Sequence, residues 1–182
     1  MKKNVIVFGL LSGLIITAMM VYSINQCYNN PGFEPNMVLG YAAMLAAFSF
    51  VFVGIRNYRN NYNNGYITFG KAFKVGLYIA LVASSVYVIT WLVEYYVFIP
   101  DFMDKYTAHV LREATKDGLT AAELKSKNDE LNMYKGMYKN PLGVVVLTYM
   151  EVLPIGLIIA LIAAAILKRN PNKAGTVQAG TF

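Results

Sequence analysis

One cysteine and one histidine are all that the 182 residues hold of the side chains that most often bind transition metals. Cys27 alone closes no disulfide within one chain and makes no C-x-x-C pair, which excludes a thiolate metal site or a thioredoxin-type redox motif inside one copy. His109 alone leaves no histidine-based zinc site, and its place on a polar helix reads as an ordinary surface residue. Charge is scarce too: only 14% of residues are Asp, Glu, Lys or Arg, against about 25% in soluble domains. G-x-S-x-G, P-loop and H-E-x-x-H patterns are all missing. The sequence therefore reads as a non-enzyme, with no catalytic residue, no metal and no cofactor.

What the chain has instead is apolar length. Hydrophobic residues make up 57% of it, and the charges crowd between long uncharged runs. That is the pattern of segments with lipid as their solvent. Val5 to Ile24 is a first span with no charge. Lys2 and Lys3 precede it, as in a signal peptide, but the run exceeds the usual signal core and Met19-Met20-Val21 is a poor approach to cleavage. The connection Asn25 to Asn36, with Pro31-Gly32 and Pro35, ends it. Further spans are expected at about 37–55, 73–99 (stopped by Pro100) and 142–167. The expected fold is an all-α integral membrane protein with four transmembrane helices in one domain, 1–169, and a disordered cytoplasmic tail, 170–182.

Basic residues set the expected orientation. Lys2 and Lys3, then Arg56, Arg59, Lys71 and Lys74, then Lys168, Arg169 and Lys173 make nine of the sixteen basic residues, in stretches without Asp or Glu. The Asn25–Asn36 connection has none. Both termini and the Arg56–Lys74 loop are therefore expected in the cytoplasm. Against this vote stands the loop 101–141, with seven basic residues matched by seven acidic ones. Trp91, Tyr95 and Tyr96 near one end of span three, and Tyr22 and Tyr28 near one end of span one, suit anchoring at headgroup level.

The same loop reads as an extracytoplasmic helical hairpin between spans three and four. Its first helix is about Asp101 to Lys116, with Asp101 as N-cap and Met103, Tyr106, Val110 and Ala114 at helical spacing. Asp117-Gly118 breaks it. The second helix, about Thr120 to Tyr138, opens on Thr120-x-x-Glu123, a capping box, and carries Leu124, Leu131, Tyr134 and Tyr138 as an apolar stripe. The two stripes can face each other, the membrane surface or a partner protein.

Glu151 is the sharpest single feature. It lies about 14 Å along span four from its start, near the bilayer middle, where an ionisable group is costly and usually faces protein or water. Pro154 withholds a hydrogen bond from the Met150 carbonyl, so Pro154 and Gly156 mark a candidate kink and close approach. Two readings stand: a neutral acid bonded to Tyr41, Ser49, Ser84, Tyr87 or Thr90, or a proton or cation site, which Glu94 would share if the two acids meet. Lys71, Lys74, Arg56 and Arg59 are candidate contacts for anionic lipid, with Phe69 and Phe73 on a short interfacial helix leading into span three. Nucleic acid is not an expected partner, for want of a basic groove or stacking platform. Gly9 and Gly13 form G-x-x-x-G, and Ala42, Ala43, Ala46 and Ala47 recur in span two; both patterns permit close contact within one chain or between copies.

Taken in order, MVLGYAAMLAAFSFVFVGIRNYR, NNGYITFGKAFKVGL and the stretch around Glu151-Val-Leu-Pro154-Ile-Gly156 resemble the bacterial membrane family called domain of unknown function 4199, common in Bacteroidetes. The resemblance rests on arrangement over about residues 4 to 169. It implies a small four-span protein of the bacterial inner membrane and carries over no activity and no catalytic residue. The leading functional expectation is an accessory or scaffold subunit working through its outer hairpin, with a protein partner or a homo-oligomer. The alternative is a small oligomeric transporter or channel-like protein with Glu151 in its pathway.

Overall fold

The computed structural model describes residues 1–29 and 37–170. Six α-helices account for nearly all of them: α1 (Lys2–Asn29), α2 (Met37–Tyr62), α3 (Phe69–Val93), α4 (Phe102–Lys116), α5 (Ala121–Tyr138) and α6 (Pro141–Leu167), with a π-helical turn at Glu94–Phe98. Four apolar helical stretches are long enough to cross a membrane: Lys2–Gln26, Gly40–Tyr62, Phe69–Phe98 and Pro141–Leu167. The shortest has 23 residues, about 35 Å of helix against a hydrocarbon core of about 30 Å. The chain is a multi-pass membrane protein by length and composition. The expected turn at Pro31-Gly32 and Pro35 and the expected disordered tail from Pro171 onward lie outside the described residues.

Two compact units divide the chain. One runs from Met1 to Tyr87 and resumes at Glu151; the other is Val88–Met150. In the first unit, small residues decide how closely the helices approach. A Cβ on Gly9 would lie 2.6 Å from the Val82 Cβ, and one on Gly13 would lie 2.9 Å from the Val86 Cβ and 3.1 Å from the Ala83 carbonyl oxygen. The G-x-x-x-G pair thus seats α1 on α3 of the same chain. Gly76 packs on Ala160 and Gly156 on Ala80, each leaving only 2.9 Å for an added Cβ, so α3 and α6 meet along a seam of Gly and Ala. Lipid tails are as apolar as leucine, so such close packing and interhelical hydrogen bonds hold helices together in a bilayer. The polar share comes from α1: Asn4 Nδ2 donates to the Gly54 carbonyl at 2.9 Å, and the Ser12 hydroxyl to the Ala47 carbonyl at 2.8 Å. Phe48, Val51, Ile55, Val75 and Ile79 fill the space between, fully buried.

The α2–α3 connection is short and tied down. Asn64 and Gly65 adopt positive φ (51° and 78°), a conformation that Gly and Asn reach at low cost. Thr68 follows and α3 starts at Phe69, one turn before the expected span. Phe69 and Phe73, expected on a short interfacial helix leading into span three, stack on one another in the first turns of α3 (ring centroids 6.4 Å). One α-helix runs from Phe69 to Val93, so that segment and the span are continuous.

The second unit gathers aromatic rings. Trp91 meets Phe102 edge-on (4.9 Å), and Tyr95 meets Tyr96 and Tyr138 edge-on (4.9 and 5.1 Å). Trp91 and Tyr95 are buried in these contacts, at 6% and 9% exposure. The physical reason is local: α4 and α5 return toward the end of α3 and offer rings that exclude water. Span three also ends differently from a plain α-helix. The Ile99 N–H donates to the Glu94 carbonyl at 2.9 Å, a five-residue loop that widens the last turn.

Between α4 and α5, Gly118 takes φ +78° and the Leu119 N–H bonds back to the Ala114 carbonyl. The expected capping box is present: Thr120 N–H donates to Glu123 Oε2 at 2.8 Å, and Glu123 N–H to Thr120 Oγ1 at 3.4 Å. Asp101 occupies the N-cap position of α4 but makes no side-chain cap; its carboxylate pairs with Lys105 Nζ at 3.0 Å. Met103, Ala114 and Leu131 are buried as their spacing implies, whereas Tyr106 is 46% exposed and stacks on Phe102. Lys135 on α5 pairs with Asp104 on α4.

Candidate functional site

The middle of α6 carries the acid that the sequence singles out. Glu151 is the eleventh of 27 helical residues, about 15 Å along the helix and well inside a hydrocarbon core of about 30 Å. α6 stays helical through Pro154, which has no N–H for the Met150 carbonyl. Val152, Gly156, Ala160, Ala163 and Ala164 form its buried face. Glu151 and Pro154 lie on the opposite, exposed face, with Ile158, Leu161 and Ile162.

That placement matters for both sequence readings. Glu151 has no hydrogen-bond or ion-pair partner among the described residues. Ser49 bonds to the Ala46 carbonyl of its own helix (2.6 Å), Ser84 is fully buried with its hydroxyl unbonded, and Tyr41 is half exposed on α2. Glu94 belongs to the other compact unit, where it opens the π-helical turn half-buried. Gly156 serves close helix contact, with Ala80 and Phe48 against it.

Residues 6–169 match the family described as Protein of unknown function (DUF4199). The chain belongs to this DUF4199 family. Nothing among the curated proteins or the solved structures matches it. The family description brings no chemistry, so the chemistry of this DUF4199 chain rests on its own geometry.

The basic residues form the second candidate group. Arg59 Nη1 donates to the Leu167 carbonyl at 3.2 Å, capping the C-terminal end of α6, while its Nε donates to Asn60 (3.0 Å). Lys71 donates to Asn63 Oδ1 at 2.6 Å and lies over the Tyr58 ring. Lys74 lies over Tyr78, and Arg169 over Tyr66. Arg56 is exposed on α2. The ion pairs found among the described residues all lie in residues 101–135, so none of these four candidates, Arg56, Arg59, Lys71 and Lys74, meets a carboxylate.

Sequence reasoning missed how this group is assembled. Ile67 and Arg169 exchange two backbone hydrogen bonds (3.0 and 2.8 Å) in an antiparallel bridge. The bridge and the Arg59 cap fasten the α2–α3 connection to the end of α6. Main-chain pairing between segments so far apart leaves no periodicity to read.

Among the described residues outside the apolar spans, three ionisable groups depart from their ordinary values. A hydrogen bond from Lys116 holds the Glu113 carboxyl below the usual range, with Lys116, His109 and Arg112 adding charge. The Thr120 backbone N–H and hydroxyl hold Glu123 below it. Glu130 raises Lys127 through a hydrogen bond. His109 pairs with Arg112 (3.1 Å) on the surface of α4. Among the described residues no three His, Cys, Asp or Glu side chains gather as a metal site.

Proposed function

We propose that this protein is a non-enzymatic accessory or scaffold subunit of the bacterial inner membrane, which binds a protein partner through α4 and α5. In this reading both termini and the Arg56–Lys74 loop lie in the cytoplasm, and α4 and α5 form an extracytoplasmic hairpin. The carrying observation is pre-organisation. Buried Met103, Ala114 and Leu131, with the Trp91–Phe102 and Tyr95–Tyr138 ring contacts that tie α4 and α5 to the end of span three, order the two helices before any partner arrives, which lowers the ordering cost of binding. Tyr106 and Met133, 46% and 60% exposed, supply apolar surface for contact. On the inner side, exposed Arg56 and Lys74 are available to anionic headgroups, with Arg59 and Lys71 partly engaged within the chain.

Site-specific photo-crosslinking from Tyr106 and Met133 in native membranes tests the scaffold reading. A discrete crosslink to a second membrane or periplasmic protein is expected. Crosslinks to lipid or to the same chain alone would overturn it.

A second reading has one observation in its favour. Glu151 lies on an outward face in mid-span, so any pathway using it as a proton or cation site runs between copies, as in a small oligomeric transporter or channel-like protein. Proton or cation flux into vesicles holding the purified chain, lost in Glu151→Gln, is the expected result. Equal flux in both chains removes that reading.

A further inference from the structure

A carboxyl group that faces outward in mid-span lacks the water and the protein groups that normally satisfy it. Glu151 is in that position: exposed, without a partner among the described residues, and about 15 Å of helix from the start of α6. The Met150 carbonyl, denied its usual donor by Pro154, is a second polar group in the same turn. Something that can hydrogen-bond must cover this face.

The pattern around Glu151 specifies what covers it. Glu151, Pro154, Ile158, Leu161 and Ala165 are all exposed and recur at alternating steps of three and four residues. That spacing is the seam along which two helices pack at a shallow angle. The glycine seams are already used inside the chain, since Gly9 and Gly13 seat against α3 and Gly156 against Ala80; Ala42 and Ala46 stay exposed on α2 but bring no polar group to satisfy. No Lys or Arg lies deep in any of the four spans, so another copy offers Glu151 no cation. It offers an identical carboxyl group. The acid form of a carboxyl carries one O–H donor and a carbonyl acceptor, and is therefore complementary to itself. Copies inserted in the same orientation and related by a twofold axis along the membrane normal present this group at equal depth.

We propose that the Glu151 face of α6 is an interface between two copies of this chain, closed by the two Glu151 carboxyl groups bonded to each other in their acid form. The interface depends on neither the scaffold nor the transport reading. Dimers without flux would leave it standing and remove transport; partner capture at α4 and α5 is a separate measurement.

The test uses the full chain in lipid vesicles, with Cys27 replaced by Ser and single cysteines introduced for oxidative crosslinking. Ile158→Cys and Leu161→Cys should form covalent homodimers at least about tenfold faster than Ile89→Cys, a site on α3 that is at least as exposed as either. Adding Glu151→Gln should preserve the dimer, because an amide also donates and accepts. Adding Glu151→Leu should weaken it roughly tenfold, the scale of one or two interhelical hydrogen bonds in lipid. Equal crosslinking at Ile158 and Ile89, single-step photobleaching of the labelled native chain, or crosslinks to a different protein alone would each overturn the proposal. The cysteine scan keeps Glu151 intact, so it decides the matter even where Glu151→Leu fails to fold.

Discussion

Ile67 and Arg169 are joined by two main-chain hydrogen bonds, the Ile67 N–H to the Arg169 carbonyl at 3.0 Å and the Arg169 N–H to the Ile67 carbonyl at 2.8 Å. Ile67 is 1% exposed, so these bonds are shielded from water. Together with the Arg59 cap on Leu167 they make the α2–α3 connection and the end of α6 one structural element. Ile67→Pro removes a donor from this pair and leaves a carbonyl unpaired. A loss of about 1–3 kcal/mol is expected, read as faster amide exchange at 66–68 and 168–169 and a lower melting temperature in detergent. Unchanged exchange at residues 168–169 would show that the bridge does not couple the two segments.

The glycine contacts predict a contrast within one chain. Gly156→Val puts a branched side chain where even a Cβ lies 2.9 Å from Ala80 and Phe48, and should destabilise by about 1–3 kcal/mol through overpacking. Gly40→Ala, in a helix with nothing within 4 Å of the added Cβ, should be neutral or stabilising by up to about 1 kcal/mol. Thermal unfolding of both variants in the same detergent separates them. Equal melting temperatures would mean that the α3–α6 seam is looser than its geometry.

The capping box predicts a pH dependence with a definite sign. Glu123 is held below its ordinary value by the Thr120 N–H and hydroxyl, so its ionised form is favoured in the folded chain. Its contribution is fully present above the unfolded value and is lost as pH falls through the lower, folded one. Carboxyl titration followed by NMR should place Glu123 below a free glutamate in the native chain. In Thr120→Ala, which keeps the backbone donor but removes the hydroxyl, it should move part of the way back. No movement in that variant would remove the hydroxyl from the account.

The Asp104–Lys135 pair joins α4 to α5 across solvent-exposed surface. A double-mutant cycle with Asp104→Asn and Lys135→Gln should give a coupling of about 0.2–1 kcal/mol, weaker at high salt. Leu131→Ala, which empties a buried position of α5, should cost more, about 2–5 kcal/mol. The ordering of the two effects is the check: ring and aliphatic burial, rather than the ion pair, holds these helices together.

The sequence carried the helices well because lipid imposes a single demand, that a long apolar run satisfy its own backbone. Val5–Ile24 and Leu142–Leu167 sit within observed helices for that reason. The capping box at Thr120 and the break at Gly118 were legible because both are local, set within a few residues. Less was legible at Tyr95 and Trp91: an exposed ring and a buried ring have the same composition, and only the return of α4 and α5 shows that these two are buried. Asp101 shows the same limit on a smaller scale, since Lys105 one turn away competes for its carboxylate.

By itself, then, the sequence determined the four apolar helices and the position of Glu151 along one of them, because these depend on composition and order. The tertiary structure alone decided which way each helix faces. It turned Gly9, Gly13 and Gly156 inward to neighbouring helices, fastened Ile67 to Arg169, and left Glu151 outside. The physical reason is that α6 carries apolar residues on all sides, so its sequence has no polar face to mark outward. Close packing of Gly and Ala against α3 selects the buried side instead, and Glu151 takes the side that remains.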